Sequence, residues 1–447
     1  MPTSVSMRER TVGERTIRKV ALRIVPFLMI CYFVSFVDRV NLGFAALDMV
    51  KDLRLSPTVV GFGGGIFFLS YFLCEVPSNL LLAKVGARRW IARIMVTWGI
   101  FAGAMALVTG PNSLYLMRFL LGAAEAGFFP GVILYITYWF PAEHRARIIG
   151  WFTVAIPVSS FLGSPISAAL LVATDGWMGL RGWQWMFILE ALPAIVLGFI
   201  CLVVLSDGPS DATWLQPDER TWLLARLDED RRRQRPVGQM SLWRVLWHRH
   251  VLLLAVALAG STAVSSGLQL WQPQIIQSYD LNNMQTGLLN SIPFALASVI
   301  MVWVGQRSDR TGERIWHAAM PLMLTAVSLA SALVFDSLFS IVVILSLAVI
   351  GIYAGKGPVW AVSTEWLSAG TAAAGLAQIN ALSNLAGFGT TYAVGFIKDA
   401  TGSFALALLP LVGLSATAAV AILWIGRNTL RAPESLKTVG VGTILER

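Results

Sequence analysis

The sequence predicts an all-α membrane protein with twelve transmembrane helices in two six-helix halves. Of its 447 residues, 56% are hydrophobic and only 13% are charged, whereas roughly a quarter of the residues in a soluble protein are charged. Twelve apolar stretches are long enough to cross a bilayer, for which about 20 residues suffice, and one long polar segment divides them into two sets of six. The stretches cover roughly residues 21–46, 57–83, 90–109, 113–140, 146–173, 183–205, 250–278, 284–304, 315–335, 338–363, 373–396 and 403–426.

The distribution of positive charge predicts the orientation of these helices. The formal net charge is +9, from 34 lysines and arginines against 25 acids. If alternate loops are taken as cytoplasmic, starting with the amino terminus, they contain most of the lysines and arginines. The positive-inside rule then places both termini in the cytoplasm. Because the basic residues follow topology and form no single patch, we expect no nucleic-acid partner.

No pattern typical of an enzyme or a metalloprotein is present in the sequence. The three cysteines all lie in apolar stretches, and no histidine has a second ligand at metal-binding spacing. There is no nucleotide-binding loop and no nucleophile motif. We therefore expect no catalytic residue, no metal and no cofactor. No cleavable signal pattern follows the polar first 20 residues, so we expect the first helix to be an uncleaved anchor.

Five parts are predicted along the chain. They are a cytoplasmic segment (1–20), the amino-terminal half (21–205), a cytoplasmic linker (206–249), the carboxy-terminal half (250–426) and a cytoplasmic tail (427–447). In the linker, Pro217 followed by Asp218 and Glu219 is typical of a helix start. One side of this helix is apolar, which predicts that it lies on the membrane surface; a solvated linker is the alternative.

The two halves also repeat one another in sequence. Gly86 after the second stretch and Gly312 after the eighth lie in similar basic loops, and Pro130 corresponds to Pro358 at nearly the same separation. Parallel repeats of this kind are typical of transporters whose substrate site lies near the midplane, between the halves.

Charged residues inside the first stretch indicate where that site lies. Asp38 and Arg39 occur there, with Asn41 nearby, and a charge at membrane depth costs at least ~2.5–3.5 kcal/mol. We expect a substrate or ion site; a structural ion pair or a helix end at the headgroups is the alternative. Consecutive helical residues point about 100° apart, so Asp38 and Arg39 cannot both face one partner.

The fourth stretch places a cation and an acid on one helix face. Arg118 and Glu125 are seven residues apart, which is almost two full turns. Small apolar neighbours surround Glu125, and such surroundings penalise the charged form of an acid. We therefore interpret Glu125 as a proton carrier, with permanent ionisation beside an arginine as the alternative. Both acids, Asp38 and Glu125, are expected near Arg39 and Arg118.

The second half contributes further candidates. Lys356 lies between Gly355 and Gly357, which weaken the helix, and it is expected to face Arg39 across a cavity and to bind a second anionic group. Snorkelling, or pairing with Glu365, is the alternative. The other predicted substrate-binding residues are polar or aromatic at membrane depth, with helix–helix hydrogen bonding as the alternative for each: Tyr71, Gln269, Trp271, Ser363, Asn380 and Asn384. Glu75 and Glu190, nearer the ends of their stretches, are interpreted as structural.

Several motifs resemble those of known transporters. The segment GQRSDRTGER resembles the loop signature of the major facilitator superfamily, through Gly305, Asp309, Arg310, Gly312 and Arg314. The copy in the first half departs from it at Asn79 and Ala83. The segments VDRVN, EVPSNLLL, RFLLGAAEAGFFPG, WFPAEHRAR, AQINALSNLAGF and KDATGS resemble the anion:cation symporter family, and most of all its bacterial carboxylate permeases of the tartrate and phthalate type.

This resemblance implies the major facilitator fold and proton-coupled symport of small organic anions across the bacterial inner membrane. It associates acids at the positions of Asp38 and Glu125 with proton coupling. It associates arginines at the positions of Arg39 and Arg118 with anion binding, and the loop signature with gating. The expected partners are an organic anion, a proton and membrane lipid, and the expected state is a monomer. An anion exchanger and a membrane receptor that binds the anion without moving it are the alternatives.

Overall fold

A computed structural model describes residues 7–233, 249–366 and 372–430, and within these ranges the regular structure is entirely helical. The helices of the first half are α1 (Met7–Asp52), α2 (Pro57–Val85), α3 (Ala87–Ala104), α4 (Pro111–Glu125), α5 (Phe128–Trp139), α6 (Ala142–Ala173) and α7 (Gly182–Val204). The linker contains α8 (Pro217–Arg233). The second half consists of α9 (Arg249–Gln277), α10 (Asn283–Thr311), α11 (Ile315–Ser331), α12 (Leu338–Trp366), α13 (Ala372–Thr401), α14 (Phe404–Ala407) and α15 (Leu409–Leu430).

These helices confirm the predicted number of membrane spans. Ten segments are long and apolar enough to cross a bilayer, with α4 and α5 counted together as Pro111–Trp139, and α14 with α15 as Phe404–Arg427. The apolar α11 is shorter, and α13 has 30 residues, enough for a span. Together they make twelve spans in the described part of the chain.

The linker helix α8 packs against the start of α1. Arg15 lies 2.7 Å from Asp218, and Lys19 donates a hydrogen bond of 2.8 Å to Glu219. Leu223 and Leu227 on its apolar side are 0% and 4% exposed. These two leucines are covered by protein, because α8 packs against α1 and α5, whereas Leu224 is 41% exposed. That this helix lies on the membrane surface stays a prediction. Residues 234–248 of the linker lie outside the described residues.

The two halves approach each other most closely where α1 ends and α2 begins. Helix α2 crosses α13 so closely at Gly61 that a Cβ atom added to this glycine would lie 2.7 Å from the Thr391 carbonyl oxygen. Thr58 donates a hydrogen bond of 2.5 Å to Asp399, and Asn283 of α10 donates one of 2.7 Å to Asp48. We call this the distal end of the bundle. Glycine and short polar contacts hold the halves together there.

Candidate functional site

The first half contains a buried ion pair between α1 and α4. Arg39 lies 2.6 Å from Glu125 through Nη2, and its Nε donates a hydrogen bond of 2.8 Å to the same Oε1. Ser35, one turn earlier in α1, donates a third bond of 2.7 Å to that oxygen. The Glu125 side chain is 1% exposed and that of Arg39 is 17% exposed. The structure thus brings together the predicted cation and acid, and Glu125 holds Arg39 in place.

A second arginine lies beside this pair, and one of its nitrogens has no hydrogen-bond partner among the described residues. Arg118 of α4 is 3% exposed, and its Nε donates a hydrogen bond of 3.3 Å to the Gly63 carbonyl. Its Nη1 is buried without a hydrogen-bond partner among the described residues. An unpaired buried donor costs ~1–3 kcal/mol, so an acceptor placed at this nitrogen would stabilise the site.

Aromatic rings set the positions of both arginines. The Phe67 ring lies 5.5 Å from the Arg39 guanidinium and 4.8 Å from that of Arg118. Tyr71 lies 5.3 Å and Phe36 4.9 Å from Arg39. Cation–π contacts of this length stabilise a cation without using its hydrogen-bond donors, so these rings do not compete with Glu125 for Arg39. Tyr71 therefore lies at the site, as predicted.

The second half closes the site from the opposite side. Gln269 of α9 donates a hydrogen bond of 3.0 Å to the Tyr353 hydroxyl of α12. The Lys356 ammonium lies 5.9 Å from the Tyr353 ring and is close enough to Arg39 for the two positive charges to repel. Lys356 thus approaches the Arg39 region from the second half, although it is not among the residues that line the cavity described next.

The space between these residues is small. A cavity of about 20 Å³ is lined by both halves. Its lining residues are Arg39, Gly64, Phe67, Phe68, Arg118, Ser266, Gln269, Leu270 and Thr391. One water molecule needs about 10–15 Å³ by the same measure. The halves must therefore move apart to admit an organic anion.

Comparison with known proteins decides the family. A model described as Major Facilitator Superfamily matches residues 28–391. A protein of Agrobacterium vitis named "Putative tartrate transporter" is 48% identical over 421 residues, which cover 94% of this chain and 96% of that protein. The chain belongs to the Major Facilitator Superfamily. It is also 37% identical to the "Quinolone resistance transporter" of Acinetobacter baumannii, over 88% of this chain and 90% of that one.

The fold of this superfamily is confirmed by solved structures. The xylose transporter XylE from E. coli, in a partially occluded inward-open conformation, superposes with a TM-score of 0.72. The match covers 92% of this chain and 98% of XylE at 13% sequence identity. At that identity the likeness concerns the fold alone, and it agrees with the two halves described above.

Asp38, predicted to lie near the arginines, contacts neither Arg39 nor Arg118 among the hydrogen bonds and ion pairs of the described residues. In this superfamily member, Asp38 accepts a hydrogen bond of 2.6 Å from Trp98 of α3 and lies on the other side of α1 from the cavity. Asn41, predicted to bind substrate, approaches Glu190 of α7 instead. The reason is helical geometry: Asp38 is rotated about 100° from Arg39, so only Arg39 points between the halves.

Other predicted binding residues are used in contacts within the protein. The fully buried Trp271 donates a hydrogen bond of 3.1 Å to the Thr391 carbonyl, so its indole donor is used within the protein. Asn380 donates one of 2.8 Å to Glu75, and Asn384 also lies against this acid. These contacts join the two halves. Ser363 belongs to α12, but its side chain lies outside the described residues.

The loop signature of the superfamily has different partners in the two halves. Between α10 and α11, Gly312 ends the helix with φ of 67°, and Arg314 forms an ion pair of 2.5 Å with Asp309. Gly305 lies within α10, and Arg310 is exposed. In the first half Ala83 replaces the acid. There Asp207, which follows α7, accepts a hydrogen bond of 2.9 Å from the Arg88 amide. An acid from elsewhere in the chain thus reaches the altered loop.

Sequence patterns missed several residues of the site. Phe67 contacts both arginines, Ser35 bonds Glu125, and Tyr353 contacts Gln269 and Lys356, yet in the sequence they resemble ordinary residues of a membrane helix. Glu190 and Trp98 were missed as partners of the Asp38 region. The one available indication was the rarity of acids in apolar stretches, which marks Glu190 as unusual but does not identify its neighbours.

Proposed function

We propose that this protein is a proton-coupled symporter of small organic anions. The observation that carries the proposal is the buried Arg39–Glu125 pair beside Arg118, whose Nη1 is unbonded. An acid and a substrate carboxylate have the same charge, so they compete for the same guanidinium groups. The name of the Agrobacterium vitis relative supports a carboxylate such as tartrate.

The proposed coupling follows from this competition. Ionised Glu125 occupies the Arg39 fork through Oε1. A proton bound by Glu125 cancels its charge and releases Arg39, which then binds a substrate carboxylate, together with Arg118, through charge-assisted hydrogen bonds. Proton and anion thus enter as a charge-compensated pair. The loaded halves rock about the site and release both on the other side of the membrane.

The cations of both halves favour an anion with two polar ends. Arg39 and Arg118 belong to the first half, while Lys356 and Gln269 approach from the second. A dicarboxylate, a hydroxy acid or an aromatic diacid such as phthalate spans such an arrangement. Each end then contacts one half, so the substrate itself helps to draw the halves together.

The charge distribution and the fold support a location in the bacterial inner membrane. Helical spans suit that membrane, whereas bacterial outer-membrane spanning proteins are β-barrels. The positive-inside rule orients both termini toward the cytoplasm. With this orientation the distal end faces the periplasm, and substrate entering from outside must first separate α2 from α13.

Transport in proteoliposomes tests this proposal through Glu125→Gln. The purified native protein should accumulate L-tartrate, or phthalate if tartrate is not bound, against its gradient when the outside is acidified. Glutamine keeps the shape but cannot exchange a proton, so the variant should lose at least nine-tenths of this accumulation while still exchanging anion between equal pools. Glu143→Gln, an exposed acid at the start of α6, is the matched control.

Three results would count against the proposal. Full gradient-driven accumulation by Glu125→Gln would remove Glu125 from the proton path. Uptake by the native protein that needs anion inside and ignores the pH gradient would identify an exchanger. Binding without any accumulation beyond the number of protein copies would identify a receptor.

A further inference from the structure

Behind the substrate site, on the other side of α1, lies a second group of buried acids. Asp38 is 2% exposed and accepts a hydrogen bond of 2.6 Å from Trp98 through Oδ2. Glu190 of α7 is 6% exposed and accepts one of 2.6 Å from Ser167 of α6 through Oε1. The two carboxyl groups are close enough to act on each other electrostatically. Each carboxyl group thus accepts a hydrogen bond through one of its two oxygens.

Among the described residues, the second oxygen of each acid has no hydrogen-bond partner, and neither has the amide of Asn41, which lies on the same helix as Asp38. Asp38 Oδ1 and Glu190 Oε2 are buried without a hydrogen bond. Asn41 is 1% exposed, one turn beyond Asp38 on α1, and approaches Glu190. In the described part of the chain, neither its Oδ1 nor its Nδ2 has a partner within ordinary hydrogen-bond distance. Four unpartnered polar atoms in one water-poor region are unusual, because buried polar groups are nearly always bonded.

No cation balances these two acids. Among the described residues, neither Asp38 nor Glu190 forms an ion pair with a lysine, an arginine or a histidine. From the elements packed around them, α3 presents the Trp98 indole and α6 presents the Ser167 hydroxyl. The charged group that acts on Asp38 from α4 is Glu125, which is itself negative and is paired with Arg39. Two unbalanced carboxylates this close do not both ionise.

One added proton satisfies all four atoms. The unpartnered set contains one donor group, the Asn41 amide nitrogen, and three acceptor oxygens. If one acid carries a proton, its hydroxyl can donate to the Asn41 oxygen while the Asn41 nitrogen donates to the other, ionised acid. The missing element in this region is therefore a single hydrogen-bond donor.

We propose that Asp38 and Glu190 share one proton through Asn41, in a site separate from the Arg39–Glu125 pair. This inference deepens the proposed function and rests on it for its role in transport. Asp38 and Arg39 are consecutive in α1, so any movement of α1 when the substrate binds shifts both sites together. Glu190, which the sequence suggested to be structural, becomes a proton-holding residue.

Infrared spectroscopy of the purified full-length protein tests the inference without requiring transport. A protonated carboxyl group has a stretching band that carboxylate and amide groups lack. At pH 7 the difference spectrum of native protein minus Asp38→Asn should show the loss of one such band, and so should native minus Glu190→Gln. In each variant the new amide supplies the donor that the proton supplied. Native minus Glu125→Gln should show no loss, because the Glu125 carboxylate is paired with Arg39 and lies outside the proposed proton site.

The outcomes distinguish failure of the shared-proton inference from failure of the proposed symport. If neither Asp38→Asn nor Glu190→Gln removes a band, the shared proton is absent and the inference fails, whatever the transport assays show. If both remove it while tartrate uptake ignores the pH gradient, the proton site stands and the proposed symport fails. If one variant does not fold, the other suffices, because both must remove the same band. Recovery of native secondary structure by circular dichroism is the check on folding.

Discussion

Asp38 and Arg39 are adjacent in α1, yet their environments differ in the one respect that controls ionisation. Arg39 meets Glu125 at 2.6 Å with Arg118 nearby, so the acid on that face is neutralised by cations. Asp38 meets the Trp98 indole and lies near Glu190, so the acids on its own face have neutral donors only. Equally buried carboxyl groups therefore have different jobs. We propose that Glu125 holds Arg39 until protonation releases it to the substrate, whereas Asp38 shares a proton with Glu190.

The largest expected effect comes from breaking the ion pair. Arg39→Ala leaves Glu125 buried without its cation, which should lower the free energy of unfolding by about 3–5 kcal/mol and abolish tartrate binding. Asp38→Asn removes no ion pair and should change the free energy of unfolding by less than ~1 kcal/mol. Chemical denaturation of both variants in the same detergent measures this contrast.

The conservative variant Arg39→Lys separates charge from geometry. Lysine keeps the positive charge beside Glu125 but cannot reproduce the two parallel bonds of the guanidinium fork. It should keep most of the stability and weaken binding of every carboxylate tested. If Asp38→Asn destabilises the protein as strongly as Arg39→Ala, the two environments are not different in the way described.

A smaller effect is expected from Lys356, the cation that the second half contributes. Lys356→Gln should weaken binding of phthalate roughly ten- to a hundred-fold and leave benzoate nearly unchanged, since a hydrogen bond to a charged group is worth ~1.5–3 kcal/mol. Isothermal titration with this pair of ligands, or with another dicarboxylate and its monocarboxylate analogue that the native protein binds, measures the difference. Lys51→Gln, at an exposed lysine, is the control. Equal weakening of both ligands would make Lys356 a structural residue.

The smallest effect is expected at Glu219, an acid outside the membrane-spanning segments that pairs with Arg15 and Lys19. Burial alone would raise the pKa of Glu219, but hydrogen bonds from Lys19 and the Gln216 amide, with the charge of Arg15, outweigh it and lower that pKa. Because the pKa of Glu219 is lower in the folded than in the unfolded protein, the ionised side chain stabilises the fold. This stabilisation is fully present at pH values above the ordinary glutamate pKa of about 4.3, and it is lost as the pH falls through the pKa of the folded state. Since Arg15 and Lys19 are partly exposed, the contribution should be below ~1 kcal/mol.

This contribution is measured by comparing Glu219→Gln with the native protein. The variant should be slightly less stable at pH 7, and the difference should shrink as the pH falls below about 4 or as salt is added. Glu190→Gln, at an acid without a cation, should show no such loss at pH 7. A stability difference for Glu219→Gln that grows on acidification would contradict the ion-pair explanation.

Much of the site could be predicted because charge is costly in a bilayer. Arg39, Arg118, Glu125 and Lys356 stand out in apolar stretches, and the structure brings them to one place. The prediction was weaker for uncharged residues. Trp271 and Asn380 were as plausible as Gln269 in the sequence, but they bond to Thr391 and Glu75. Hydrogen-bond capacity is visible in a sequence, whereas the partner that uses it is not.

The sequence by itself determined the membrane class, the two-half repeat and the presence of ionisable groups at depth. These depend on hydropathy, length and residue type, which act locally along the chain. Only the tertiary structure decided that Glu125 belongs to Arg39, and that Asp38 belongs with Trp98, Asn41 and Glu190. The physical reason is that a helix presents residues all around its axis. Which face meets which neighbour is settled by the packing of α1 against α3, α4, α6 and α7, and no local pattern contains that information.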